Sequence, residues 1–121
     1  MTTGTDLPER GDVWLARLGA ASDGEPGKNR PVVVVQDNGL GPYGPTELVV
    51  VVPLSASRQP SPASVPVPIV EGIDRPCVAV CRAVRGVSRA RLLSRLAAIP
   101  PATMGDIDLA LSHVLGLFRR D

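Results

Sequence analysis

The chain has 121 residues, 44% of them hydrophobic, and a formal net charge of +1 at pH 7. This length suits one domain with a single modest core, and the near-neutral charge gives no global sign of nucleic-acid binding. Because there is only one Trp, one Tyr and one Phe, the core must be aliphatic, and RNA recognition by stacking bases over a sheet is disfavoured.

The first half of the chain predicts strands separated by loops. Three strands are expected over residues 12–18, 32–36 and 47–54. The second contains four consecutive valines, which predicts burial on both faces. Loops are predicted over 19–29 and over the Gly/Pro-rich residues 39–45, the latter opened by a turn at Asp37-Asn38-Gly39.

The second half continues with weaker strand patterns. Strand-like segments cover residues 65–70, 77–87 and 92–99. The first is interrupted by prolines and suits an edge strand, the second is interrupted near Gly86, and the third is also compatible with a helix. Residues 57–66 predict a mobile loop, and Ser88 is placed to cap a short turn through Arg91.

One helix is predicted at the end of the chain. Apolar residues repeat at near-helical spacing at Met104, Ile107, Leu111, Val114, Leu115 and Phe118. Pro101 suits the first turn, Asp106 and Asp108 lie near the start, and Arg119 and Arg120 lie at the end, in the sense that complements the helix dipole. Short strands, long loops and a terminal helix predict a mainly β fold, a small, strongly bent β-barrel.

Arg30 is the first candidate functional residue. It lies between a Gly/Pro-rich loop and the buried valine strand, and Pro31 biases its backbone towards an extended conformation. A guanidinium held in this way suits recognition or cleavage of a phosphodiester. An ion pair with a nearby carboxylate is the alternative.

Charge is distributed unevenly along the chain. Residues 1–74 hold nine acids and five bases, whereas residues 75–95 hold six arginines and no acid. The six are Arg75, Arg82, Arg85, Arg89, Arg91 and Arg95. This asymmetry indicates a surface that faces a polyanion, with a solvated basic edge as the alternative.

The remaining sequence features favour a cytoplasmic protein without a metal site. The N-terminus has no apolar export signal, and no apolar run is long enough to cross a membrane. Cys77 and Cys81 would lie roughly 13 Å apart on a strand, too far for a disulfide, and are expected to be buried thiols. With His113 distant in the predicted helix, no metal or other cofactor is expected.

Five short motifs occur in order along the chain. They are Arg10-Gly11-Asp12-Val13-Trp14-Leu15, Gly24-x-x-Gly27-x-x-Arg30-Pro31, Val51-Val52-Pro53-Leu54-Ser55, Val84-Arg85-x-Val87-x-x-x-Arg91-Leu92, and Pro101-x-Thr103-Met104 with the helix that follows. In this order the chain resembles the MazF/PemK family of toxin endoribonucleases from type II toxin–antitoxin pairs. The resemblance covers residues 10–117, so residues 1–9 are taken as an N-terminal tail and 10–121 as the toxin domain.

The resemblance implies a fold, an activity and partners. The family has an SH3-like barrel with a C-terminal helix, forms homodimers, and cuts single-stranded messenger, ribosomal or transfer RNA at short sequences without a metal. An antitoxin with an acidic C-terminal segment is the implied protein partner. The catalytic arginine aligns with Arg30, and the second catalytic position, usually Thr, is Ser55. RNA binding is expected at Lys28, Asn29, Arg58, Arg82, Arg85 and Arg89.

Some residues depart from the family pattern, and other functions remain open. Ser55 keeps the hydroxyl of Thr but not the methyl group that restricts its rotamer, and the alternative to a catalytic role is a strand-end hydroxyl that hydrogen-bonds to the backbone. Pro100 stands where a Ser or Asp usually caps the last helix. A CcdB-like toxin that poisons gyrase by binding it, without ribonuclease activity, is the main alternative. An SH3-like adaptor for proline-rich peptides would need an aromatic groove that this composition does not provide.

Overall fold

A computed structural model describes residues 7–19, 28–41 and 44–117. Seven strands and one α-helix are found there: β1 (Asp12–Arg17), β2 (Asn29–Val34), β3 (Leu48–Ser55), β4 (Ser64–Val67), β5 (Cys77–Val80), β6 (Arg85–Ser88), β7 (Leu92–Ala98) and α1 (Pro101–Val114). Short 3₁₀ turns cover Asn38–Leu40, Cys81–Ala83 and Arg89–Arg91. The predicted mainly β fold with a C-terminal helix is confirmed.

The strands form one antiparallel sheet in the order β4-β5-β3-β2-β1-β7. β3 has two partners on the same side: its first half pairs with β6, and its last two residues, Leu54 and Ser55, pair with β5. β1 pairs with β7 with two irregularities in register, which bend the sheet. β4 lies at the end of the order, so the proline-containing segment is an edge strand as predicted.

Two apolar clusters bury opposite faces of the central strands. Val33 and Val52 pack in a cluster that includes the buried face of α1, whereas Val32 and Val34 pack with Trp14 in the other. Successive side chains of a strand point to opposite faces, so a run of valines serves both clusters. This explains why the valine strand lacks a polar face, and each such burial stabilises the fold by roughly 1.5–3 kcal/mol.

The segment over 77–87 is divided at a different place from the one predicted. The interruption is the 3₁₀ turn at Cys81–Ala83, closed by the N–H of Val84 donating to the carbonyl of Cys81 at 3.2 Å. Gly86 lies inside β6, paired with Val50, and therefore does not interrupt the strand. The turn after Ser88 is present, but the Ser88 side chain does not cap it.

The end of the predicted mobile loop over 57–66 is ordered. Ser61 and Ser64 form a β-bridge with backbone N–H groups donating in both directions at 3.0 Å, and β4 begins at Ser64. The proline-rich composition therefore encodes a tight turn at this point and not a mobile loop.

The helix is shorter than predicted because a glycine ends it. Gly116 has φ +71, and its N–H donates to the backbone carbonyl of His113 at 3.1 Å. The N–H of Leu117 donates to the backbone carbonyl of Ser112 at 2.8 Å, and the two bonds together form a Schellman motif. At the start, Pro100 provides no side-chain cap, as expected. The first turn holds no acidic residue, so the predicted match of Asp106 and Asp108 to the helix dipole is wrong: both lie beyond that turn.

Several predictions lie wholly or partly outside the described residues. These are most of the loop over 19–29, most of the tail over 1–9, and the positions of Phe118, Arg119 and Arg120. The division into tail and domain stays a prediction. Within the described residues, no helix has the length and apolarity needed to cross a membrane.

Candidate active site

A cleft of about 570 Å³ opens where β2 begins and β3 ends. Its apolar lining comes from several strands and includes Val13 on β1, Leu54 on β3 and Leu96 on β7. Its polar lining comes from residues at or beside the strand ends, Lys28, Asn29, Arg30, Ser55 and Ser57, and from Asp74 and Arg75 in the segment between β4 and β5. The structure therefore brings both predicted catalytic residues into one cavity, with two of the six predicted RNA-binding residues.

The register of the central strands explains why Arg30 and Ser55 meet. Val33 pairs with Val52, and Val32 pairs with Pro53. Continuing this antiparallel register by two residues sets Arg30 opposite Ser55, and opposed residues share a face of the sheet. Arg30 and Ser55 are 25 positions apart in the sequence, but this register makes them neighbours on adjacent strands.

Arg30 is exposed at the mouth of the cleft. Its backbone pairs with Ala16 on β1, so the strand ladder fixes the Cα while the guanidinium reaches solvent. Within the described part of the chain, no carboxylate forms an ion pair with it. The ion-pair alternative raised from the sequence thus has no partner there, and the guanidinium is available to an anion.

The hydroxyl of Ser55 is held by its own loop. The backbone N–H of Ser57 donates to Ser55 Oγ at 3.3 Å, and the two Oγ atoms lie 3.3 Å apart. Ser55 Oγ accepts the backbone hydrogen bond, and its rotatable hydroxyl proton can point either to Ser57 Oγ or to a phosphate oxygen bound in the cleft. The loop thus restricts a rotamer that the missing methyl group of Thr would otherwise leave free.

The other predicted RNA-binding arginines are dispersed. Arg58 is exposed immediately after the cleft residue Ser57. Arg85 donates to the carbonyl of Leu18 at 3.4 Å, beside the start of β2. Arg82 lies with His113 in a separate cavity of about 530 Å³, and its RNA-binding role stays a prediction without support from proximity to the cleft.

Arg89 and Arg91, two of the six arginines over residues 75–95, make contacts within the fold. The Arg89 guanidinium lies 5.1 Å from the centroid of the Trp14 ring and donates to the carbonyl of Leu92 at 3.3 Å. Arg91 donates to the carbonyl of Arg17 at 3.0 Å. Part of the positive charge over 75–95 therefore also makes contacts within the fold, and the RNA-binding role of Arg89 stays a prediction.

Sequence reasoning missed three polar residues of the cleft. Ser57 follows Ser55 by two positions, and Asp74 and Arg75 come from the segment between β4 and β5. Ser57 carries a local signal, a second hydroxyl in Ser55-Ala56-Ser57. Asp74 and Arg75 carry none, because only the pairing of β5 with the end of β3 brings their segment to the cleft.

The prediction that both cysteines are buried thiols is confirmed for Cys81 and wrong for Cys77. Both are free; Cys81 is buried, and Cys77 is half-buried at the edge of the cleft. Burial raises the pKa of Cys77 and raises that of Cys81 to about 11. Among the described residues, no group of three or more His, Cys, Asp or Glu side chains is arranged to hold a metal ion.

Comparison with known proteins identifies the family. Residues 9–115 match the family described as PemK-like, MazF-like toxin of type II toxin-antitoxin system. An endoribonuclease MazF from Staphylococcus epidermidis is 30% identical over 109 residues, which are 89% of this chain and 91% of the relative. The chain therefore belongs to the PemK/MazF toxin family.

Solved structures agree with this assignment. A mycobacterial endoribonuclease in complex with its cognate antitoxin is 26% identical, with a TM-score of 0.76 over 93% of this chain and 99% of that one. A MazE–MazF structure from Deinococcus radiodurans, at 24% identity, shares the fold with the same TM-score and coverage. Family membership supports endoribonuclease activity for this chain and favours it over the gyrase-binding alternative.

Proposed function

We propose that this protein is the toxin of a type II toxin–antitoxin pair and acts in the cytoplasm as a sequence-specific, metal-independent endoribonuclease on single-stranded RNA. The observation that carries the proposal is the placement of Arg30 and Ser55 in one cleft, at opposed ends of β2 and β3. Lys28 and Asn29 continue the polar lining from Arg30 and provide further contacts for a phosphate backbone.

The reaction uses the nucleophile that RNA carries. The 2′-hydroxyl next to the scissile phosphate gives its proton to solvent water as its oxygen attacks phosphorus, so that a 2′-O–P bond forms, the P–O5′ bond breaks and the leaving 5′-oxygen takes a proton from water. The products are a 2′,3′-cyclic phosphate and a 5′-hydroxyl end that has taken up a proton. Negative charge builds on the non-bridging oxygens, and the Arg30 guanidinium stabilises it through charge-assisted hydrogen bonds.

Ser55 complements Arg30 as a hydrogen-bond donor. With Ser57 N–H already bonded to its Oγ, Ser55 directs its proton to the phosphate and keeps the scissile group in line for attack. A serine hydroxyl is a weak base on its own, so the structure favours orientation of the phosphate over proton abstraction.

The test is cleavage of matched RNA substrates. We expect cutting of single-stranded RNA in the presence of EDTA, with 2′,3′-cyclic phosphate and 5′-hydroxyl ends. A substrate with 2′-deoxyribose on the 5′ side of the cut should bind but remain intact, because its nucleophile is missing. Cleavage of the deoxy substrate, or 5′-phosphate ends, would show that water is the nucleophile. Mapping of RNA 5′ ends after a pulse of expression identifies which RNA class is cut.

Two partners are part of the proposal. A cognate antitoxin with an acidic C-terminal segment would occupy the cleft, where Lys28, Arg30 and Arg75 supply positive charge. A second copy of the chain would form a homodimer and cover exposed leucines. In the described residues these include Leu48, Leu93, Leu96, Leu109, Leu115 and Leu117. Sedimentation velocity at micromolar concentration should give a dimer, and an acidic peptide should compete with RNA.

A further inference from the structure

The cleft contains a carboxylate that the proposed chemistry does not use. Among its described lining residues, the charged groups are Lys28, Arg30, Arg75 and Asp74. An anion at this place repels the phosphates of a bound strand. Asp74 therefore weakens RNA binding unless its oxygens accept hydrogen bonds from the RNA itself.

The backbone before Asp74 is firmly positioned. Gly72 has φ +93, and a Cβ atom placed on it would overlap the carbonyl oxygen of Leu96 on β7 and come 2.9 Å from Cβ of Ala97. Ile73 is buried, and its N–H donates to the carbonyl of Val70 at 2.8 Å. The backbone of Asp74 is therefore held at a fixed position in the wall of the cleft, as selective recognition of a ligand requires.

The Asp74 side chain itself is available. It is 94% exposed, and the charged group nearest to it in the described structure is Nε of Arg75, 3.8 Å from Oδ1. That separation is too long for a hydrogen bond, so both carboxylate oxygens can accept from a ligand. Single-stranded RNA presents suitable donors on the Watson–Crick edges of its unpaired bases.

Guanine fits a carboxylate best among the four bases. Its N1–H and N2–H₂ groups give two parallel donors, which match the two oxygens of one carboxylate. Cytosine and adenine each offer one amino group, and uracil offers one imino group. A bidentate, charge-assisted pair is stronger and more selective than a single hydrogen bond.

We propose that Asp74 is a specificity-determining residue that binds the Watson–Crick edge of a guanine close to the scissile phosphate. This inference rests on the proposed endoribonuclease function. Glu71, three residues earlier, supplies a matched control, because it is exposed on the same segment but lines a separate cavity with Arg95.

The experiment compares guanosine with inosine, which lacks the N2 amino group. Cleavage of a randomised RNA by the wild-type protein first locates the preferred guanine, which is then replaced by inosine in one oligonucleotide. Wild-type protein and Glu71→Gln should each lose about tenfold or more in kcat/KM on inosine, the effect of one charge-assisted hydrogen bond. Asp74→Ala should cut both substrates at similar rates and lose its preference for guanine.

Other outcomes overturn the inference. It fails if the wild-type protein cuts RNA without a guanine preference near the cut, or if Asp74→Ala remains as sensitive to inosine as the wild type. Loss of the preference in Arg75→Ala to the same extent as in Asp74→Ala assigns Asp74 to positioning Arg75, and the proposed contact is then wrong. A folded wild-type protein that cuts no RNA refutes the proposed function, and this inference with it.

Discussion

The carboxylate of Asp12 on β1 accepts a hydrogen bond from Nε of Arg95 on β7 at 3.0 Å, although the two residues are 83 positions apart. Asp12 is 5% exposed, and its second oxygen accepts from Trp14 Nε1 at 3.3 Å and from the N–H of Glu9 at 2.9 Å. Arg95, one of the six arginines over residues 75–95, thus pairs with the buried carboxylate of Asp12. Its function is to join the first and last strands of the fold.

Removing this buried acid should destabilise the protein. Asp12→Ala leaves the indole N–H of Trp14 without its acceptor, and we expect a loss of about 2–3 kcal/mol in the free energy of unfolding. Arg95→Ala should cost about 1 kcal/mol or less, because Arg95 is half exposed and Asp12 keeps its other two donors. The control Asp106→Ala, on the exposed face of α1, should stay within about 0.5 kcal/mol of wild type by urea unfolding.

Removing the cleft guanidinium should abolish most cleavage and leave the fold intact. We expect Arg30→Ala to lower kcat/KM by about 10²–10³, the effect of losing one electrostatic donor in a transition state. Arg17→Ala is the matched control: it removes an exposed arginine on β1 that neither lines the cleft nor is predicted to bind RNA, and it should change the rate much less. Near-normal cleavage by folded Arg30→Ala would contradict the role given to this residue.

Substitutions of Ser55 and Ser57 should lower activity to different extents, because the two serines have different roles. Ser55→Ala removes the hydroxyl that orients the phosphate, and we expect kcat to fall by about 10–100-fold in single-turnover assays. Ser55→Thr retains the hydroxyl and should retain most activity. Ser57→Ala keeps the N–H that bonds Ser55, so a smaller effect is expected. Equal losses in Ser55→Thr and Ser55→Ala would indicate a packing role for this position.

Two Gly-to-Ala substitutions should change stability in opposite directions. Gly72→Ala meets the carbonyl oxygen of Leu96 at a positive φ, and we expect a loss of about 1–3 kcal/mol. Gly105 lies on the exposed face of α1, with open space where a Cβ would be. Gly105→Ala should therefore gain about 0.5–1 kcal/mol through helix propensity. Thermal unfolding of both variants beside wild type checks the two signs.

The buried thiol of Cys81 predicts a pH effect in the alkaline range. Burial raises its pKa from 9.0 to about 11, so the folded state favours the neutral thiol. Its contribution to stability is fully present below pH 9 and is lost as the pH rises to about 11. Cys81→Ala lacks this titration, so the stability difference between wild type and variant should shrink over that interval. A constant difference in urea unfolding from pH 8 to 11 would count against burial as the cause.

Features of the fold that depend on residues adjacent in the chain could be predicted from local sequence patterns. The valine run encodes a strand buried on both faces, and Pro31 encodes the extended entry to it, so Arg30 could be placed at a strand mouth without a structure. The sequence does not predict the end of α1 at Val114, because the apolar pattern continues at Leu115. Turn chemistry decided this boundary, and hydrophobic periodicity did not.

The neighbours of the arginines over 75–95 and of Asp74 depend on strand pairing between residues that are far apart in the sequence, so they could not be predicted. Composition treats the arginines over 75–95 alike, but Arg95 pairs with Asp12, Arg89 covers Trp14 and Arg75 enters the cleft. Asp74 reaches the same cavity only because β5 pairs with the end of β3. No spacing along the chain reports these neighbours, since each depends on a strand register set by the whole sheet.

The pairing of β1 with β7 also sets the time at which the cleft exists during synthesis. Val13 contributes to the cleft from β1 and Leu96 from β7, and Val13 pairs with Ala97. At roughly 5–20 residues per second, a ribosome needs about 2–8 s to add the 41 residues that follow Ser55, up to Leu96. A nascent chain therefore carries Arg30 and Ser55 for seconds before it has the cleft in which they can act on RNA.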